Sequence, residues 1–198
     1  MIKTTHKFSG ILAGFALIFA STNTFSANAI NPKAAATQAN LPPETISLQL
    51  ESNAWNVVQS NNDGGRSLIE MIPRGQELKN WQQLISIAYV SYKLVGSSSM
   101  SVEEVMKRGV DDMKHTCPDF QNKVLSQNGN DITYEWQVKN CQAGGIEGDQ
   151  IEIAKIVKGD FGYNSVHYSV KADHLSPEQR DDILKIISTA EVVKNKPA

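Results

Sequence analysis

Apolar and polar positions alternate in short runs along most of the chain, and the runs come in pairs separated by turn-forming residues. Residues 55–60 (WNVVQS) and 66–73 (RSLIEMIP) flank Asn61-Asn62-Asp63-Gly64-Gly65, so they predict a β-hairpin. LISIAYVSY (84–92) is apolar on both alternating faces, the pattern of a central strand buried on two sides. A helix is predicted to start at Ser101, because Ser101-Val102-Glu103-Glu104 is a capping box whose serine and glutamate satisfy each other's free backbone donors. Val102, Val105, Met106 and Met113 give it one apolar face, and Pro118 stops it. KVLSQ (123–127), the turn Asn128-Gly129 and DITYEWQVK (131–139) predict a second hairpin. In its second strand Ile132, Tyr134, Trp136 and Val138 face one way, and Thr133, Glu135, Gln137 and Lys139 face the other. QIEIAKIVKG (150–159) and YNSVHYSVKA (163–172), joined around Asp160-Phe161-Gly162, make a third. Ser176-Pro177-Glu178-Gln179 opens a last helix, whose Ile183, Leu184, Ile186 and Ile187, with Ala190, face the sheet. Three strands, a helix, four strands and a helix define the α+β class, with a mostly antiparallel sheet of about six to seven strands and two main helices. They form a single domain over residues 46–194.

The N-terminus bears on the compartment. Lys3 and Lys7, the apolar run Ile11–Ala20 and the small residues Ala27-Asn28-Ala29 have the layout of a secretory signal over residues 1–29. The apolar run is short for a membrane anchor, the competing reading, since a spanning helix needs about 20 apolar residues. A lipoprotein would need a cysteine just after the run, and none is there. Residues 30–45, beginning INPKAAATQANLPP, are small, polar and aperiodic and read as a flexible leader. Cleavage removes two lysines and no acid, so the formal charge moves from −2 to −4. That balance argues against nucleic acid and anionic membrane surfaces as partners. The expected location is periplasmic or secreted.

Cys117 and Cys141 are the only cysteines, and export puts them where disulfides persist. A bridge between them is expected. The alternative, a reactive thiol at Cys117 near His115, lacks a CxxC or papain-like context.

Ile69–Trp81 (IEMIPRGQELKNW) followed by an apolar strand resembles small exported proteins of Gram-negative bacteria that carry a P-x-G-x-x-x-x-N-W segment. The paired cysteines and the closing YSVKADHLSPEQRDDILKIISTA are similar to that group too. The element order also looks like the PsbP-like fold. The resemblance implies adaptor, periplasmic or cell-envelope roles, release by a step such as type II secretion, and no shared catalytic residues. Physically, Pro73–Trp81 reads as a connector in which Gly75 permits a turn and Trp81 locks the next strand. A recognition role for Glu77, Asn80 and Trp81 is the alternative.

No HExxH, GxSxG, SxxK or phosphate-loop pattern occurs, and the glycines at 64–65 and 144–145 read as turns. His115 and His174 fit surface positions. His167 is the histidine with chemical potential. If Lys158 stands opposite Tyr163, His167 faces Ala154, with Glu152 and Ser169 flanking it on one face and Ser165 adjacent. A histidine beside a carboxylate and hydroxyls suits a general base or a ligand site. A solvated sheet face, or a histidine hydrogen-bonded beneath a helix, is the plainer reading. Scattered acids around one histidine do not suit zinc, so neither a metal nor a cofactor is expected. The leading expectation is an exported binding protein for a protein or small envelope ligand. The alternative is a secreted hydrolase using His167 with Glu152 or Glu135. A third reading is an envelope or virulence-associated factor that engages a host or secretion partner, which a sizeable exposed apolar patch would favour over the enzyme.

Overall fold

The computed structural model describes residues 41–195, except 52, 97, 143–145 and 147. The predicted signal (1–29), the leader up to residue 40 and the Gly144-Gly145 turn lie outside the described residues.

The three predicted hairpins and the central strand form one antiparallel sheet. Its strands are β2 (Trp55–Asn62), β3 (Arg66–Pro73), β4 (Gln83–Ser91), β5 (Gln121–Asn128), β6 (Asp131–Cys141), β7 (Gly148–Lys158) and β8 (Gly162–Val170), in the order β2-β3-β4-β8-β7-β6-β5. β4 and β8 pair across its centre, which is why the run at 84–92 is apolar on both faces. The two outer strands each carry a register shift, between Val57 and Gln59 in β2 and between Val124 and Ser126 in β5.

A four-residue helix, α1 (Tyr92–Val95), follows β4, and α2 (Val102–Thr116) and α3 (Pro177–Ser188) are the two longer helices. Both predicted capping boxes form. Ser101 accepts from the Glu104 amide and Ser176 from the Gln179 amide, with the side chains of Glu104 and Gln179 returning the bond. The helices cover opposite faces of the sheet. Val102, Val105, Met106, Val110 and Met113 of α2 pack with Ile132, Tyr134, Trp136, Val138, Ile156 and Tyr163. Ile183 and Ile187 of α3 pack with Ile85, Ile87, Ile153, Val166 and Tyr168. Each such aliphatic side chain stabilises the fold by roughly 1.5–3 kcal/mol relative to exposure. Odd-numbered residues of β8 from Tyr163 to Ser169 therefore look toward the α2 side, and even-numbered ones toward α3.

The expected bridge forms between Cys117, at the C-terminal cap of α2, and Cys141, at the end of β6, with their Cα atoms 5.5 Å apart. Both thiols are consumed, which leaves Cys117 no role as a nucleophile. Among the described residues no helix is long and apolar enough to cross a membrane.

Order begins before Ile46, contrary to the boundary expected from composition. Glu44 and Thr45 belong to β1 (Glu44–Ser47), which pairs antiparallel with β9 (Glu191–Lys194) in a separate two-stranded sheet. The physical reason is alternation: Glu44 and Ile46 are buried, while Ser47 is exposed.

Candidate functional site

Register delivers the His167 neighbourhood as expected. Lys158 lies opposite Tyr163 and Ala154 opposite His167, so Glu152 and Ser169 are direct cross-strand partners. His167 Nδ1 sits 2.6 Å from Glu152 Oε1, and its Nε2 sits 3.1 Å from Ser165 Oγ. The Trp136 indole N–H donates to the same Glu152 oxygen at 2.7 Å, and the Ser169 hydroxyl donates to the other. With Glu152 accepting, Nδ1 carries a proton toward the carboxylate, and Nε2 lies within hydrogen-bond reach of the Ser165 hydroxyl. Burial, and then the Glu152 carboxylate, pushes the Tyr134 phenol far above its ordinary range.

This is a serine–histidine–carboxylate series, but it is interior. Ser165, Glu152, Ser169 and His167 are 0, 1, 1 and 3% exposed, so the solvated-face reading is overturned. The polar row continues across the sheet, because Ser86 lies opposite His167 on one side and opposite Glu70 on the other. The Ser86 hydroxyl is 3.5 Å from Glu70 Oε1, and Glu70 Oε2 has no hydrogen-bond partner. Burial pushes the Glu70 carboxyl up to about 7, with the Ser86 contact a smaller opposing influence. Glu70 carries a signal that sequence reading missed: it alternates with Leu68 and Ile72, so it falls on the inward side of β3.

The other candidates do not join this cluster. Glu135 lies on the opposite face of β6 and pairs with Arg180 of α3, its Oε2 accepting at 2.9 and 2.8 Å. It is therefore no partner for His167, because successive strand residues point to opposite faces. Trp81 is a core residue packed with Ile72 and Leu84, and Lys171 Nζ lies 4.7 Å from its ring centroid. Glu77 and Asn80, beside and in the 3-10 turn Leu78–Asn80, are exposed, and Glu77 pairs with Lys79. Gly75 has φ +90°, the left-handed region the connector reading requires. Among the described residues no three metal-binding side chains converge.

An open groove of about 550 Å³ lies on the α3 side, between that helix, the ends of β4 and β8, and residues 49–51. Gln83, Tyr168 and Val170 form its floor, and Gln179, Asp182 and Ile186 one wall. Tyr168 donates to Gln83 Oε1 at 3.0 Å and meets Trp55 edge-on with ring centroids 5.6 Å apart. Burial, then Asp182, pushes its phenol up to about 12, so it remains a neutral hydroxyl at physiological pH. The lining holds neither a histidine nor a cysteine. No known family model matches the chain, and no curated protein matches it.

Proposed function

We propose that the chain is an exported, non-enzymatic binding protein that takes its ligand in the groove beside α3. The observation that carries this reading is the burial of the Ser165–His167–Glu152 series: the most reactive side chains are interior, while the open groove offers amides, a phenol, the apolar side chains of Val170, Leu175 and Ile186, and the charged Glu51, Asp182 and Lys185. Such a mixture orients a ligand without attacking it. The folded protein is to be screened by thermal shift against envelope glycans, muropeptides and peptides, alongside Asp182→Arg, which fills the groove from an exposed position. A shift seen with the wild type and lost in Asp182→Arg is expected. In parallel, turnover of esters, phosphoesters, peptides and glycans should not exceed that of Ser165→Ala. Robust turnover abolished by Ser165→Ala would overturn the reading.

One observation favours a hydrolase as the second reading. Contacts of 3.1 and 2.6 Å link serine to histidine and histidine to carboxylate, in the order used by nucleophile, base and orienting group. It requires the covered face to open. Labelling of Ser165 by a fluorophosphonate, lost on His167→Ala, would establish it.

A further inference from the structure

The segment Glu44–Leu50 is built like a bound peptide. Glu44, Ile46, Leu48 and Leu50 turn inward, Glu44 and Ile46 fully, while Ser47 and Gln49 are exposed. Glu44 is 0% exposed, and its carboxylate is held by the β7–β8 turn. Its Oε2 accepts from the Asp160 amide at 3.0 Å, and its Oε1 from the amides of Phe161 at 3.2 Å and Gly162 at 3.1 Å and from Asn164 Nδ2 at 3.0 Å. Three successive backbone N–H groups converging on one carboxylate form an anion-binding nest. Its shape is specific: a Cβ on Gly159 would collide with the Glu44 carboxylate. Beyond Glu44, Ile46 joins the apolar cluster of Ile85, Ile87 and Val166, and Leu48 and Leu50 pack on the same cluster. The backbone pairs with β9, and the Gln49 amide donates to Thr189 Oγ1 at 3.1 Å. Gln49 and Glu51 then form a wall of the groove. Main-chain pairing with alternate side chains in pockets is how proteins recognise an added strand.

We propose that the rest of the domain is a receptor for extended peptides of a partner protein, carrying a carboxylate followed by apolar residues at every second position, and that residues 44–50 occupy it as a built-in competitor. The proposal rests on the binding reading and names its ligand class. The chain's own segment shows the chemistry that fits: an acid for the nest, then three aliphatic side chains. A tethered competitor acts at an effective concentration of about millimolar, so a partner gains access where the segment is loosened.

The test uses the full chain and a fluorescent peptide of the sequence PPETISLQLE, read by anisotropy. Glu44→Ala empties the nest, and Ser47→Pro interrupts the β1–β9 pairing from an exposed position, which covers the case in which Glu44→Ala does not fold. The peptide is expected to bind either folded variant at least tenfold more tightly than the wild type. Glutamine in place of the peptide's first glutamate should cost at least tenfold. Thr45 and Val193 are register partners, so an oxidised Thr45→Cys/Val193→Cys protein should bind no peptide. Folded variants that bind no more tightly than the wild type, or that ignore the glutamate, would overturn it. A glycan or muropeptide shift lost in Asp182→Arg would leave the binding reading standing in that event.

Discussion

Glu70 makes the stability of this domain depend on pH in an unusual direction. Its carboxyl is 1% exposed, one oxygen has no partner, and burial raises it from 4.5 to about 7. A carboxyl raised in the native state takes up a proton on folding. Its contribution is therefore fully favourable below pH 4.5 and is lost as the pH climbs through 7, opposite to an acid held low by a cation. At about 1.4 kcal/mol per unit, the interval amounts to about 3 kcal/mol. Glu70→Gln keeps the acceptor facing Ser86 and cannot ionise. It should match the wild type near pH 4.5 and exceed it by about 3 kcal/mol at pH 8, roughly 10 °C in Tm for a domain of this size. Urea unfolding of both proteins at half-unit steps from pH 4.5 to 8 measures the difference directly. A gap that stays constant across the range, or a wild type that is the more stable at pH 8, would refute the burial argument.

Three further outcomes follow from the same geometry. Glu152→Ala leaves Trp136, His167 and Ser169 facing an interior without their acceptor, and should cost about 3–5 kcal/mol in urea unfolding, where an exposed pair would cost less than about 1. Replacing both cysteines by alanine should lower stability by about 3 kcal/mol in the chain-entropy model, with an equal effect from reduction of the wild type. Gly159→Ala drives a methyl group into the Glu44 carboxylate. Hydrogen exchange should then rise at residues 44–47 and 191–194 and stay unchanged in α2, at a cost of about 1–3 kcal/mol.

Hairpins, helix starts and the pairing of His167 with Glu152 were legible because each depends on local order. Two-residue periodicity, tight turns and capping boxes act over a few residues, and the turn at Asp160-Phe161-Gly162 fixes which residues of β7 and β8 meet. Burial of the cluster was not legible. Whether the odd face of β8 meets water or α2 depends on where a helix some fifty residues upstream docks. β1 and β9 escaped notice because four-residue strands carry little periodicity, and because Pro42-Pro43 resembles a linker. Glu44 left no pattern at all, since its partners are mostly backbone amides 116 to 118 residues away. Pairing Glu135 with His167 was the one error of face, and the alternation of β6 already contained its correction.

The register breaks in β2 and β5 set a limit on growth. A foreign strand annealing to either margin needs an uninterrupted row of amides and carbonyls at constant spacing, and an extra residue in the outermost strand bends that row out of line. The seven-stranded sheet thereby ends in two margins that template poorly, which protects the domain from fibrillar stacking when it is concentrated.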